Sequence, residues 1–259
     1  MVILLYGAVI LLATFLGAFV GLGGGVIIKP VLDFLGRHPL EQITFFSSCG
    51  VFTMSLTATA KHIKQKTPMD KKMILLIATG STIGGYLGNV AFRTALTYAQ
   101  APSVVRTVQS VCLGILLIFV LVSVNCNTRT FHLKNLVAIL FSGLFLGFFA
   151  AFLGIGGGPI NVAAMTLLFS LSMKDAAVYS VAVIFFSQGM NLLTTLCTSP
   201  VGTYDLTMLW GILPCAILGG LIGAKYNRKC KEKTIRVVFT STVSAIVLLT
   251  FYNAIMPWF

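Results

Sequence analysis

Long apolar stretches separated by short polar ones dominate this 259-residue chain. Apolar runs fall at about 2–20, 42–60, 73–92, 104–124, 136–153, 175–197, 206–224 and 237–256. Each approaches the ~20 residues with which a helix crosses a bilayer. Two runs end in glycine clusters and then resume as short apolar stretches. The first cluster is Gly21-Leu22-Gly23-Gly24-Gly25, followed by 26–35; the second is Gly154-Ile155-Gly156-Gly157-Gly158, followed by 159–171. Glycines grouped this way break a helix, bare backbone N–H groups and admit a close neighbour. Breaks at corresponding places in two halves of a membrane protein point to a transporter's binding site.

The halves are related by sequence. Phe19 to Gly25 and Phe152 to Gly158 share five of seven residues at an offset of 133. Asp70 and Asp205 each open a run, and Gly84-Gly85-x-x-Gly88 matches Gly219-Gly220-x-x-Gly223 at an offset of 135. Small residues at that spacing suit close helix packing in lipid. The pattern predicts one integral-membrane domain over 1–259, built from repeats at 1–125 and 130–259. The fold class is an all-α polytopic membrane protein, each repeat holding a glycine-broken element and three transmembrane helices.

Composition agrees: 57% of residues are hydrophobic, 9% are charged and the mean hydropathy is +0.97. Soluble domains carry about 25% charged residues. The net charge of +12 sits in short loops and not on a basic face with interleaved aromatics, so no nucleic-acid partner is expected. The partners expected are the lipid bilayer, a small anionic substrate and, as an open expectation, a second copy in a homodimer. Residues 2–20 lack a basic leader and run into the first glycine cluster, so they read as retained. The six cysteines form no CxxC pair, and no metal or other cofactor is expected. No acidic residue lies mid-run, and neither a phosphate-binding loop nor a hydrolytic triad is present, so the chain does not read as an enzyme.

Charge decides the relation of the halves. If each broken element keeps its ends on one side, fourteen Lys/Arg share one face: the 61–72 loop, Arg129, Lys134, Lys174 and the 225–236 loop. Four remain elsewhere: Lys29, Arg37, Arg93 and Arg106. Eight single crossings would give a weaker split of eleven to seven. The positive-inside rule therefore predicts two inverted repeats with both termini outside. A re-entrant hairpin and a pair of full spans give the same parity, and both stay open here.

In that arrangement the turns approach each other from opposite sides, and the helices that follow aim N–H groups and positive dipole ends inward. Two such ends favour an anion. The candidate binding residues are Gly21, Gly23, Gly24, Gly25, Gly154, Gly156, Gly157 and Gly158, with Ser47, Ser48, Asn161, Ser187, Gln188 and Asn191 as side-chain partners. These hydroxyls and amides are equally able to bond their own helix or glue helices together. Lys29 is a charge contact close to a turn, with Asp33 at ion-pair spacing beside it. His62, next to Lys61, reads as interfacial. Bulky replacements at Gly24 or Gly157 are expected to stop transport without unfolding the chain.

The doubled Gly-x-Gly-Gly-Gly, the Asp-initiated runs and the paired Gly-Gly-x-x-Gly blocks resemble the TauE/SafE sulfite-exporter family over nearly the whole chain. Gly21, Gly23, Gly24, Gly25 and Pro30 match its first signature, and Gly154, Gly156, Gly157 and Gly158 its second. Leu213-Pro214-x5-Gly220-x-x-Gly223-Ala224 fits its later pattern. The second signature departs in carrying Pro159 directly after its glycines, with no proline equivalent to Pro30, which leaves the equivalence of the two turns open. The resemblance implies secondary transport of sulfite, sulfonates or related anions across a bacterial plasma membrane, by alternating access. Other classes kept open are an anion channel, a cation or neutral-solute carrier using the same broken helices, and a non-transporting membrane scaffold.

Overall fold

A computed structural model of the protein describes residues 2–67, 69–98, 102–125, 130–133, 135–198 and 204–255. Those residues are helical and contain no strand. The helices are α1 (Val2–Val20), α2 (Gly25–Leu35), α3 (Leu40–Lys64), α4 (Lys71–Tyr98), α5 (Pro102–Asn125), α6 (Leu136–Leu153), α7 (Gly158–Phe169), α8 (Met173–Thr198), α9 (Leu209–Lys229) and α10 (Glu232–Ile255). A 3₁₀ turn, Leu206–Met208, leads into α9. Eight of these segments are long and apolar enough to cross a membrane. The exceptions are α2 and α7, whose 11 and 12 residues reach only about 17 Å at 1.5 Å per residue. Leu4, Trp210 and Leu248 stand well exposed on the outer surface, as lipid-facing side chains do.

Local chemistry sets the helix ends. The Asp70 carboxylate accepts from Lys72 N and Met73 N, and the Asp205 carboxylate accepts from Thr207 N. Both supply acceptors to first-turn donors. Gly36 and Gly154 end α2 and α6 in left-handed conformations at φ 60° and 65°. In that region a side chain costs about 1–3 kcal/mol.

The glycine-broken elements are helical hairpins. Tyr6 near the start of α1 lies 2.7 Å, hydroxyl to Nδ1, from His38 just past α2. Phe131 N and Leu133 N, ahead of α6, donate to Leu167 O and Leu168 O at the end of α7. Each hairpin therefore begins and ends at one level. From Tyr6 to Val20 the climb is about 21 Å.

Helix contacts recur with the halves exchanged. α1 packs on α9 as α6 packs on α4; α3 packs on α9 as α8 packs on α4; α10 meets α2 as α5 meets α7. The glycine blocks make this possible. A Cβ on Gly84 would sit 1.9 Å from Leu144 O, and one on Gly223 would sit 2.4 Å from Phe15 O. These glycines serve helix packing, not ligand contact.

At the centre α3 and α8 run antiparallel. Asn191 bonds Ser48, Phe52 stacks on Phe185, and Tyr204 past α8 stacks on Phe45 near the start of α3. The hairpin preceding α3 thus opens at the opposite end from the hairpin preceding α8. The basic segments gather at one of these ends. Lys174 Nζ donates to Arg228 O, Met173 N donates to Glu232 Oε1, and Asp70 N donates to the Tyr179 hydroxyl. Arg129 and Lys134, counted on the basic face, lie outside the described residues. His62, in the last turn of α3, is buried.

Candidate functional site

The two turns share one backbone. Positive φ falls at Gly21, Gly23 and Gly24 (82°, 76° and 72°) and at Gly154, Gly156 and Gly157 (65°, 74° and 71°), the same three positions in each copy. Pro159 does not alter this, because it stands in the first turn of α7, where a missing N–H costs nothing. The turns also meet. A Cβ on Gly158 would lie 1.8 Å from Leu22 O, and one on Gly25 would lie 2.5 Å from Ile155 O. Only glycine permits that approach from both sides. All ten residues of the two clusters are buried.

Carbonyl and amide groups at this junction are treated differently. The carbonyl ends of α1 and α6 are capped by side chains from other helices. Asn227 Nδ2 donates to Phe19 O at 2.8 Å, and Gln109 Nε2 donates to the matching Phe152 O at 2.6 Å. Lys29 Nζ donates to Leu153 O at 2.8 Å and to Gln109 Oε1 at 2.9 Å. The Ser180 hydroxyl reaches Gly21 O at 2.7 Å and Gly158 O at 3.3 Å, tying the two turns together. By contrast, no acceptor among the described residues meets the backbone N–H of Gly156, Gly157 or Gly158. Buried N–H groups are seldom left so, because each costs about 1–3 kcal/mol. The carbonyls of Phe19, Gly21, Phe152 and Leu153 are thus engaged by side chains, while the N–H groups of Gly156, Gly157 and Gly158 are not.

Two buried amide side chains stand beside these N–H groups. The Asn161 amide is buried, its Oδ1 has no partner, and it stands 3.5 Å from where a Gly157 Cβ would be. Gln188 is also buried, points its amide at Gly156, and makes no side-chain hydrogen bond among the described residues. Both came from the sequence reading. Ser47 is buried without a hydrogen bond on the α3 face that carries Thr44 and Val51, which touch Gly154 and Gly156. Ser187 instead donates to Ile184 O of its own helix, so its hydroxyl is engaged locally. Ser48 and Asn191 bond each other across α3 and α8.

Lys29 is fully inside the molecule, 7% exposed, and not reaching for a membrane surface. Asp33, one helical turn on, lines the same cavity of about 20 Å³ as Lys29 and Gln109, so both charges share one buried site. A second cavity, of about 30 Å³, borders the last turn of α6 at Ala151, and its polar lining includes Glu41, Thr44, Ser48, Asn89, Arg93 and Asn191. Each has room for roughly one water. Gln109, Asn227, Asn89 and Arg93 were missed by the sequence reading. The available signal was an amide set within an apolar run, which is costly unless partnered.

One expectation about the turns is corrected. A side chain at Gly24 would take φ 72° with its Cβ 3.2 Å from Ala13 O; at Gly157 it would take φ 71° with its Cβ 2.7 Å from the Ala150 Cβ. Bulky replacement there disturbs folding as well as any bound solute.

The sequence matches the profile described as Sulfite exporter TauE/SafE over residues 6–250. The chain belongs to the TauE/SafE sulfite-exporter family. It is similar to the probable membrane transporter protein YunE of Bacillus subtilis (strain 168), 29% identical over 95% of this chain and 96% of that one. It also resembles the probable membrane transporter protein MJ0441 of Methanocaldococcus jannaschii, 23% identical over 90% of this chain and 89% of that one. The Sulfite exporter TauE/SafE family protein 5 of Arabidopsis thaliana is 30% identical over 49% of this chain and 29% of its own. No solved structure matches. Family membership and the eight apolar helices make this a multi-pass membrane protein of a transporter family.

Proposed function

We propose that this TauE/SafE protein is a secondary transporter of small sulfur-containing anions, sulfite or sulfonates, working by alternating access in a bacterial plasma membrane. The observation that carries the reading is the contrast at the junction. Carbonyl ends that would attract a cation are already occupied by Asn227, Gln109 and Lys29, whereas Gly156, Gly157, Gly158, Asn161 and Gln188 offer unspent polar groups. Helix N-terminal donors and a buried ammonium favour negative charge. That argues against a cation carrier with the same breaks.

The two halves serve as inverted repeats, hairpins entering from opposite faces and meeting at their glycines. The basic end, by the positive-inside rule, is cytoplasmic. Cavities of about 20 and 30 Å³ beside the second turn are too small for a conducting path, which favours a carrier over a channel.

Reconstituted into proteoliposomes, the protein should show saturable sulfite flux that depends on a counter-ion gradient. Flux should fall about tenfold in Asn161→Leu, a replacement that removes the amide while keeping volume. Flux that is linear in sulfite, or a response only to cations, would reject the reading.

A further inference from the structure

A chain of hydrogen bonds runs from α4 through α8 to α3, beside the cavity of about 30 Å³ that borders the last turn of α6. Arg93 Nε donates to Asn89 Oδ1 at 3.0 Å. Asn89 Nδ2 donates to Asn191 Oδ1, and Asn191 Nδ2 donates to Ser48 Oγ at 3.1 Å. Asn89, Asn191 and Ser48 are buried.

The direction of this chain is not free. A guanidinium has donors and no acceptor, so the Asn89 atom facing Arg93 is its carbonyl oxygen. The Asn89 amide nitrogen then faces Asn191, which must present its own oxygen and turn its nitrogen toward Ser48. The Ser48 oxygen is thereby fixed as an acceptor from Asn191. Its hydroxyl proton is left to point elsewhere, and among the described residues it meets no acceptor. Aligned bonds of this kind polarise one another in a low dielectric.

We infer that Arg93 is a positioning residue for anion selectivity, which acts through Asn89 and Asn191 to commit the Ser48 hydroxyl as a hydrogen-bond donor to an oxyanion in the cavity beside the second glycine turn. The inference rests on the anion-transport reading above. The cavity has room for about one water in this structure, so an anion requires it to widen. The relay then leaves the Ser48 proton to the solute, which favours an anionic acceptor over a cationic solute of the same size.

Asn89→Asp tests this without removing Arg93's partner. A carboxylate at 89 accepts from Arg93 and accepts again from Asn191, so the Asn191 amide turns over and its oxygen faces Ser48. The Ser48 proton is then captured by Asn191. Sulfite binding to the purified full-length protein is measured by calorimetry, with chloride as control, for the unaltered protein, Ser48→Ala, Asn89→Asp and the double variant. Each single variant should weaken sulfite about tenfold, the scale of one hydrogen bond to a charged group. The double variant should be no weaker than either single one, since all remove the same bond. Arg93→Lys, which keeps a group that can only donate, should retain binding, whereas Arg93→Gln should lose it.

Unchanged binding in Ser48→Ala overturns the relay and leaves the anion site standing. A further loss on adding Asn89→Asp to Ser48→Ala also overturns it, because the effect is then repulsion or distortion at position 89. If Asn89→Asp does not yield monodisperse protein, the Arg93→Lys and Arg93→Gln pair decides the same question. If the unaltered protein binds no sulfite, thiosulfate or sulfonate, the transport reading falls and the relay falls with it.

Discussion

The two glycine turns have one backbone and two surroundings. Around the first, Ser180 and Asn227 engage Gly21 O and Phe19 O, and Ala177, Val162 and Ile184 press on Gly21 and Gly23. Around the second stand Lys29, Gln109, Asn161 and Gln188. The first turn is clamped by its neighbours; more polar side chains border the second. Repetition supplied the scaffold, and side-chain divergence gave the two copies different surroundings.

Replacing Gly158 or Gly25 by Ala should produce the largest effect and should affect both turns alike. The added methyl overlaps the facing backbone at Leu22 or Ile155, and overlap with main chain has no cheap relief. We expect loss of monodisperse protein on size-exclusion chromatography, while Gly50→Ala, whose nearest neighbour would lie 3.6 Å away, purifies normally. Normal behaviour of Gly158→Ala would mean that the turns do not meet.

Caps on the two matched carbonyls sharpen the contrast. Asn227→Leu and Gln109→Leu each strand a buried acceptor, at about 1–3 kcal/mol, and both should lower the melting temperature. Only Gln109→Leu should also weaken sulfite, because Gln109 orients Lys29. Equal losses of sulfite affinity in both variants would erase the distinction between supporting and binding turns.

Gln188→Met should move in the other direction for stability. Gln188 makes no hydrogen bond to lose, so the melting temperature should stay level or rise while sulfite affinity falls about tenfold. Ser180→Ala should show the reverse: a lower melting temperature and unchanged affinity.

The smallest effect concerns Asp205, ahead of α9. Hydrogen bonds from the Thr207 hydroxyl and N–H hold its carboxyl below the ordinary value of 3.8. A lowered folded-state value means that its contribution is complete above pH ~4 and fades as pH falls through the folded value. Asp205→Asn should therefore melt slightly lower than the unaltered protein at pH 7, with the gap closing below pH ~4. A gap that persisted at low pH would assign the effect to shape instead of charge.

Much of this architecture was readable in the chain. Apolar runs gave nearly every helix, with ends extended by a few residues where Asp70, Asn135 and Asp205 add caps. The glycine offset gave the matched turns, and the structure sets Asn161 and Gln188 beside the second of them. What stayed hidden depends on contacts between residues far apart in sequence. The pairing of Asn227 with Phe19, or of Gln109 with Phe152, has no local periodicity to announce it. Ser187 and Ser180 look alike as isolated serines. One bonds its own helix and the other bridges two turns; seven residues apart they share a face of α8, and the difference lies in what each meets along it.

The exchange of first helices between halves bears on how the protein is made. α1 leaves the ribosome early, yet its principal neighbour, α9, is synthesised roughly two hundred residues later. Until then the small-residue face of α1 has no mate in the chain, and the insertion machinery or a chaperone has to shelter it. A product truncated before α9 strands that face permanently and becomes a substrate for quality-control proteolysis. Each half lacks the helix that its partner holds, so co-expression of 1–125 with 130–259 should reassemble what neither half keeps alone.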